Sequence, residues 1–385
     1  MKKYLQNDRF LLNYSFIILG FCSILTFFEL LARLFYPELL LEQKMFKNGD
    51  FMDSQVLKEN LDMALKVLNA DIIYEVKTNT AGFRMLRELP DIKKNNEKRI
   101  LCLGDSFTFG FGVNDNETYP FLLEKLLKNR YNSFPIHVIN AGFACGRGTG
   151  TEYLFLKTNI NKLKPNIVIL GFHLSDDLMD VERNKWITDI NGLPVKIRHP
   201  GSNIPWFIKH HSAAYQLLKV KAKLYEKLLP FTTKKQYLKA EYRPTFNQHT
   251  WEKIERLLTG MKHIAESNNA TLLIASFPEQ IVLTNPQSNQ AQYELKINQH
   301  LKNFCAERSI EFIDLVDAFK SRPRNKLDAM YIPVVGHWSK YGTAACTIEI
   351  FKYLESKGKI TSAMAHADYV QQNDSIEDRS VYFVR

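Results

Sequence analysis

The chain has 385 residues, 45% of them hydrophobic and 24% charged, with a formal net charge of +10. That balance supports a sizeable core and excludes a largely disordered chain. The basic residues are dispersed rather than grouped, which argues against a nucleic-acid-binding arm and leaves an anionic membrane surface or an acidic glycan for the charge to meet.

The first forty residues set the expected location. An uncharged run from Phe10 to Phe28 lies between Arg9 and Glu29 and holds Ile17, Ile18, Leu19, Phe21, Ile24, Leu25, Phe27 and Phe28. At about 1.5 Å of rise per residue, roughly twenty helical residues cross a hydrocarbon core. Residues 10–31 are therefore expected to form a transmembrane helix. Residues 1–9, with Lys2, Lys3 and Arg9, would stay cytoplasmic, and the positive-inside rule sends the rest to the periplasm or the exterior. A cleaved signal peptide needs small residues at its cut, and Phe27-Phe28-Glu29-Leu30-Leu31 offers none.

Residues 32–70 read as a helical, mixed-charge connector. Asp71–Glu88 opens with strand-like alternation and turns at Ala81-Gly82. Beyond it, short apolar runs at 99–104, 136–140, 166–171, 271–277 and 311–315 alternate with helical patterns at 119–130, 151–163, 251–267, 290–307 and 339–356. Such runs suit parallel strands buried on both faces. The alternation predicts a doubly wound α/β sandwich over 71–357, with its active site beyond the carboxyl ends of the strands. Residues 180–247 break the rhythm as an insertion. Within it, 206–229 has amphipathic helical spacing: either an extra helix packed on the sheet, or a lid or membrane-surface helix. The polar tail, 358–385, is expected to be loose. The five cysteines are odd in number and without short-range pairs, so mostly free, buried thiols are expected.

The segment Arg99–Gly110 ends a strand in Gly104-Asp105-Ser106, which sets the Ser106 hydroxyl at the strand's carboxyl end. Leu103-Gly104-Asp105-Ser106-Phe107-Thr108-Phe109-Gly110 resembles the first block of the SGNH (GDSL) hydrolase superfamily. Asn79-Thr80-Ala81-Gly82-Phe83-Arg84 resembles a stretch found before that block in membrane-anchored members. The resemblance runs from about residue 70 to 357. It implies a flavodoxin-like three-layer α/β/α sandwich with a parallel sheet, and attack by Ser106 on an ester or acyl carbonyl. No Gly-x-Ser-x-Gly elbow occurs, which disfavours the α/β-hydrolase family.

The resemblance also implies an oxyanion-hole glycine after the second strand. Asn140–Gly146 carries one residue more than the family pattern, so Gly146 is the first choice and Gly142 the second. Loss of one such donor costs about 3–4 kcal/mol of barrier. Where the third block has Asn-Asp, this chain has Ser175-Asp176, and a serine hydroxyl reaches less far than a carboxamide. The expected oxyanion hole is the N–H groups of Ser106 and Gly146 together with Ser175. Asp176, Asp177 and Asp180 read as loop acids or helix caps rather than a metal site, and His173 as a structural histidine. The glycines of Gly146-Arg147-Gly148-Thr149-Gly150 miss the dinucleotide frame at Thr151. No metal or organic cofactor is expected.

Gly336-His337-Trp338-Ser339, before a closing helix, resembles the final block of the anchored members. There the histidine is the general base that a serine hydroxyl needs at neutral pH. The family's aspartate two residues earlier is Val335 here. That acid fixes the imidazole tautomer and stabilises the imidazolium. Asp328 in the same loop is one candidate to replace it, and a backbone carbonyl serving a Ser–His dyad is the other; Asp105 reads as structural. The expected function is a membrane-anchored, exported serine esterase or O-acyltransferase acting on acylated envelope carbohydrate or lipid. The departures at Ser175 and Val335 support a second class: a weakened SGNH-like domain that binds an envelope glycan or assembles with other envelope proteins.

Overall fold

The computed structural model describes residues 2–36, 45–49, 52–67, 70–131, 135–144, 148–183, 185–198, 212–218, 247–333 and 335–360. The chain divides into two compact units, Met1–Lys47 with His199–Tyr242, and Asn48–Arg198 with Arg243–Arg385.

In the first unit, helix α1 (Lys2–Phe35) includes Ser15–Phe35, whose mean hydropathy of 2.1 makes it long and apolar enough to cross a membrane. Phe16, Ile17, Leu19, Phe21 and Phe28 are exposed along it, an apolar surface that water would not favour. Glu29 pairs with Arg33 at 2.7 Å. The same carboxylate accepts the Ser212 hydroxyl at 2.7 Å and the N–H groups of Ala213 and Ala214 at 2.9 and 3.0 Å. Those N–H groups open a short helix, 213–218, and have no partner inside it. Ala32 and Ala213 are buried together beside this cap. The rest of the helix expected over 206–229, and the tail beyond residue 360, lie outside the described residues.

In the second unit, the helical connector expected over 32–70 is corrected. β1 (Phe46–Gly49) runs across the boundary at Lys47, and the unit's own strands here are β2 (Met52–Leu57) and β3 (Asp62–Val67). Leu65 and Val67 are buried while Ala64 and Lys66 are exposed, a period of two that the mixed composition obscured. β3 pairs antiparallel with β4 (Ile72–Lys77).

The central sheet is formed by β5 (Lys98–Gly104), β6 (Ile136–Gly142), β7 (Ile167–His173), β10 (Thr271–Phe277) and β11 (Glu311–Asp314). Between β7 and β10 lies a hairpin of β8 (Lys185–Thr188) and β9 (Pro194–Arg198). The sheet order is β11-β10-β7-β5-β6, with every pairing parallel. This is the flavodoxin-like order.

The helices are α2 (Ser106–Phe109), α3 (Tyr119–Arg130), α4 (Thr149–Leu163), α5 (Asp176–Arg183), α6 (Gln248–Ser267), α7 (Gln280–Thr284), α8 (Asn289–Glu307), α9 (Leu315–Lys320), α10 (Arg324–Ala329) and α11 (Lys340–Ser356). Strand alternation sorts the core into two layers. Leu101, Leu103, Val168, Leu170 and Ile274 face α4, α6 and α8. Ile100, Cys102, Ile169, Leu273 and Ala275 face α3, α9 and α11. Burying a large apolar side chain in either layer stabilises by about 1.5–3 kcal/mol. Cys102, Cys305 and Cys346 are free and buried, and Cys22 is free and exposed; Cys145 lies outside the described residues. The chain runs from β5 out to β6 and then back past β5 to β7. Strand order therefore reverses between β5 and β7, the point at whose carboxyl ends open α/β sheets bind their ligands.

Candidate active site

Ser106 stands at that reversal point because β5 ends in a backbone only glycine tolerates. Gly104 has φ +151°, and a Cβ there would meet Thr108 Oγ1 at 2.2 Å. Gly104 is in register with Gly142 of β6, where a Cβ would meet Phe109 N at 2.1 Å. The bare strand ends let the single turn α2 lie directly over the sheet edge. Asp105 caps this turn, its Oδ1 accepting the Phe107 N–H at 2.9 Å, and Gly110 closes it in the left-handed region. As the first residue of the turn, Ser106 has an N–H without a partner inside the helix.

The motif before β5 holds the turn from behind. Asn79 Oδ1 accepts the N–H groups of Ala81 and Phe83 at 3.1 and 3.0 Å, folding the turn that delivers Arg84. Arg84 is buried and its fork is fully used. Nε donates to Asp115 at 2.7 Å, Nη1 to the carbonyls of Phe109 and Gly110, and Nη2 to those of Glu75 and Val113. Removing one partner of such a buried pair costs about 3–5 kcal/mol.

His337 arrives on a loop that is equally pinned. Tyr331 bridges Trp338, Ile332 N–H donates to the His337 carbonyl at 2.7 Å, and the Tyr331 hydroxyl donates to Pro278 O at 2.7 Å. Ser339 Oγ then caps α11 through the N–H groups of Tyr341 and Gly342. The outcome is a contact across 231 positions: Ser106 Oγ lies 2.8 Å from His337 Nε2. On the ring's other side, Nδ1 lies 3.3 Å from the Val335 carbonyl. With Nδ1–H donating to that carbonyl, Nε2 is left as an acceptor for the serine proton. Burial holds the His337 pKa below its ordinary value, partly opposed by the Val335 carbonyl. The ring is therefore neutral near pH 7.

The remaining expected residues fall differently. Asp328 sits on α10 with its carboxylate on Arg324 at 3.0 Å and Gln280 at 3.2 Å. It is corrected as the candidate third member, since the helix turns it outward and Val335 O takes the imidazole instead. Ser175 lies between β7 and α5, and its hydroxyl donates to Glu279 at 3.0 Å. Gly146 lies outside the described residues. Its alternative, Gly142, already donates its N–H to Asn140 Oδ1 at 3.1 Å. Asp177 is buried as a tie between elements, accepting the Thr149 hydroxyl at 3.0 Å and the His173 N–H at 2.6 Å.

Asp105, His173 and Asp176 each bring one donor atom within 4.8 Å of the others, the spacing of a possible cation site. The tautomer speaks against it. Asp176 N–H donates to His173 Nδ1 at 3.1 Å, so the neutral ring carries its hydrogen on Nε2, the atom that would have to ligate. His173 Nε2 and Asp105 Oδ2 are buried with no hydrogen-bond partner among the described residues, and burial pushes Asp105 up to about 6. The satisfied structural histidine expected at 173 is met at one ring nitrogen only, Nδ1.

Residues that the motifs did not flag complete the site. Phe107 and Phe111 flank the His337 ring at 5.0 and 4.7 Å; their i, i+4 spacing beside Ser106 was the available signal. Glu279 follows the end of β10, where the strand-end rule could have found it.

Residues 102–342 match the GDSL-like Lipase/Acylhydrolase family, well over half of the chain. The chain belongs to that family and is an ester-bond hydrolase of the SGNH fold. No curated protein sequence matches it. Among solved structures it is similar to a catalytic mutant of Axe2, an acetylxylan esterase from Geobacillus stearothermophilus, at 15% identity and TM-score 0.40, covering 69% of this chain and 96% of that one. It is also similar to LAE5, an alpha/beta hydrolase enzyme from the metagenome of Lake Arreo, at 12% identity and TM-score 0.42, covering 69% and 97%. TesA aligns at 13% identity and TM-score 0.40, covering 67% and 99%.

Proposed function

We propose that this protein is a membrane-anchored, exported serine esterase or O-acyltransferase that acts on acyl esters of envelope carbohydrate or lipid through Ser106 and His337. The observation that carries the reading is the 2.8 Å approach of Ser106 Oγ to His337 Nε2. Ser106 Oγ attacks the acyl carbonyl carbon while its proton passes to Nε2. The tetrahedral intermediate collapses as Nε2 returns that proton to the departing alkoxide. Ser106 is left acylated, and water or a sugar hydroxyl, deprotonated by the same nitrogen, resolves it. The Ser106 N–H, at the head of α2, faces the developing oxyanion. The apolar span Ser15–Phe35 supports an anchor. Acetyl or longer acyl groups on envelope sugars or lipids are the substrates such an anchor would keep within reach.

A serine-directed phosphonate, applied to the purified full-length protein in detergent and read by mass spectrometry, tests this. Stoichiometric labelling that Ser106→Ala abolishes is the expected result; a folded protein that takes no label defeats the reading. One contact favours the second class, a weakened domain that binds glycan: the Ser175 hydroxyl is turned to Glu279 rather than left for an oxyanion.

A further inference from the structure

Among the described residues no carboxylate is hydrogen-bonded to the proposed base, and its contact with Val335 O is long for a hydrogen bond at 3.3 Å. Its ring faces are better provided for. Phe107 stacks on His337 with centroids 5.0 Å apart and planes 23° from parallel. Phe111 packs against it at 4.7 Å and 43°. The series continues at both ends: His173 lies 4.7 Å from Phe107, and Tyr74 of β4 lies 5.6 Å from Phe111.

We infer that this aromatic column takes over the work of the missing carboxylate, with Phe107 and Phe111 acting as positioning residues that fix the His337 plane and steady its imidazolium. The inference rests on the Ser106–His337 chemistry proposed above. The physical ground is the quadrupole of a benzene ring, whose face is negative and attracts a cation within about 6 Å of its centroid. Imidazolium forms when Ser106 gives up its proton, so the attraction strengthens in the transition state and lowers the barrier. No atom passes through the phenyl rings. The proton goes from Oγ to Nε2 and on to the leaving oxygen.

The column also accounts for the hairpin before the sheet. Tyr74 is buried and backs Phe111, and the Arg84 guanidinium lies over Tyr74 at 5.7 Å. The titratable groups facing His337 are Asp176 and His173; Asp105, Glu279 and Glu294 act on His173. All stay in place when Phe111 alone is changed, so their influence cancels in the comparison.

Phe111 is the position to test, because it is only half-buried, whereas Phe107 also packs on Phe277 and Trp338. In the full-length protein in detergent, Phe111→Leu keeps an apolar cover but removes the ring face. It is expected to lower kcat on p-nitrophenyl acetate by about tenfold with little change in KM. The His337 imidazole, followed by NMR, is expected to titrate at lower pH than in the parent. Phe111→Tyr and Phe111→Trp should restore both. A Phe111→Leu protein whose His337 titrates as in the parent, or a kcat loss that neither aromatic restores, overturns the inference. The titration needs no turnover: a shifted His337 in a protein whose Ser106 takes no phosphonate upholds the column and defeats the catalytic reading.

Discussion

Two serines end neighbouring strands of the same sheet and meet opposite partners. Ser106, after β5, faces the Nε2 of a neutral imidazole at 2.8 Å. Ser175, after β7, faces the carboxylate of Glu279 at 3.0 Å. Both hydroxyls donate a hydrogen bond, but the bonds have different consequences. A neutral imidazole can take a proton in the transition state and return it. A carboxylate that is itself held by Gln290 at 2.8 Å fixes the hydroxyl proton in place and keeps it from a developing oxyanion. Proximity to a strand end is thus not enough for reactivity; the group opposite decides it.

The comparison breaks most visibly at the imidazole. His337→Ala is expected to lower kcat for p-nitrophenyl acetate about 10⁴-fold or more, since the serine then has no proton acceptor. A loss below about a hundredfold in a steady-state assay would mean another base serves Ser106. Next comes the other serine. Ser175→Ala is expected to lower kcat by less than about tenfold, because its proton is already engaged by Glu279. A loss of about 10²–10³ would show instead that Ser175 turns to the oxyanion during the reaction.

The smallest effect is that of pH. Burial holds the His337 pKa below its ordinary value, and the proposed base would work only when neutral. Falling pH therefore leaves it active below pH 6.5, and the acid limb of kcat/KM is expected under that value. The linked stability has the matching sign. Between the ordinary value and the depressed one, the unfolded chain binds the proton that the folded ring refuses, so this group's contribution declines as pH falls through that window. An acid limb above pH 6.5 in a pH–rate profile would contradict both statements.

Much of this was legible in the chain. The five sheet strands announce themselves as short apolar runs, because burial on both faces leaves no room for polar residues. Ser106 and His337 were legible through their flanking blocks, and Ser175 as a departure from one. Asp328 was misjudged because nearness in sequence stood in for direction; α10 carries its carboxylate away to Arg324. The aromatic column was not legible. Beyond the local pair Phe107 and Phe111, it draws on β4, β7 and the 331–339 loop, and no local pattern encodes a stack assembled from such separate segments. The strands of 46–67 were hidden by a composition that suits helix and strand alike, and the pairings of β1 with β2 and of β3 with β4 resolve them.

Arg84 lies upstream of Cys102, where the family match begins, yet it grips the carbonyls of Phe109, Gly110 and Val113. The span of the family match and the folded unit therefore do not share a first residue. A version of the chain cut at the edge of the match would keep Ser106 but lose the guanidinium that shapes its turn. Domain boundaries for expression, swapping or design belong ahead of Asp62, where the supporting hairpin starts.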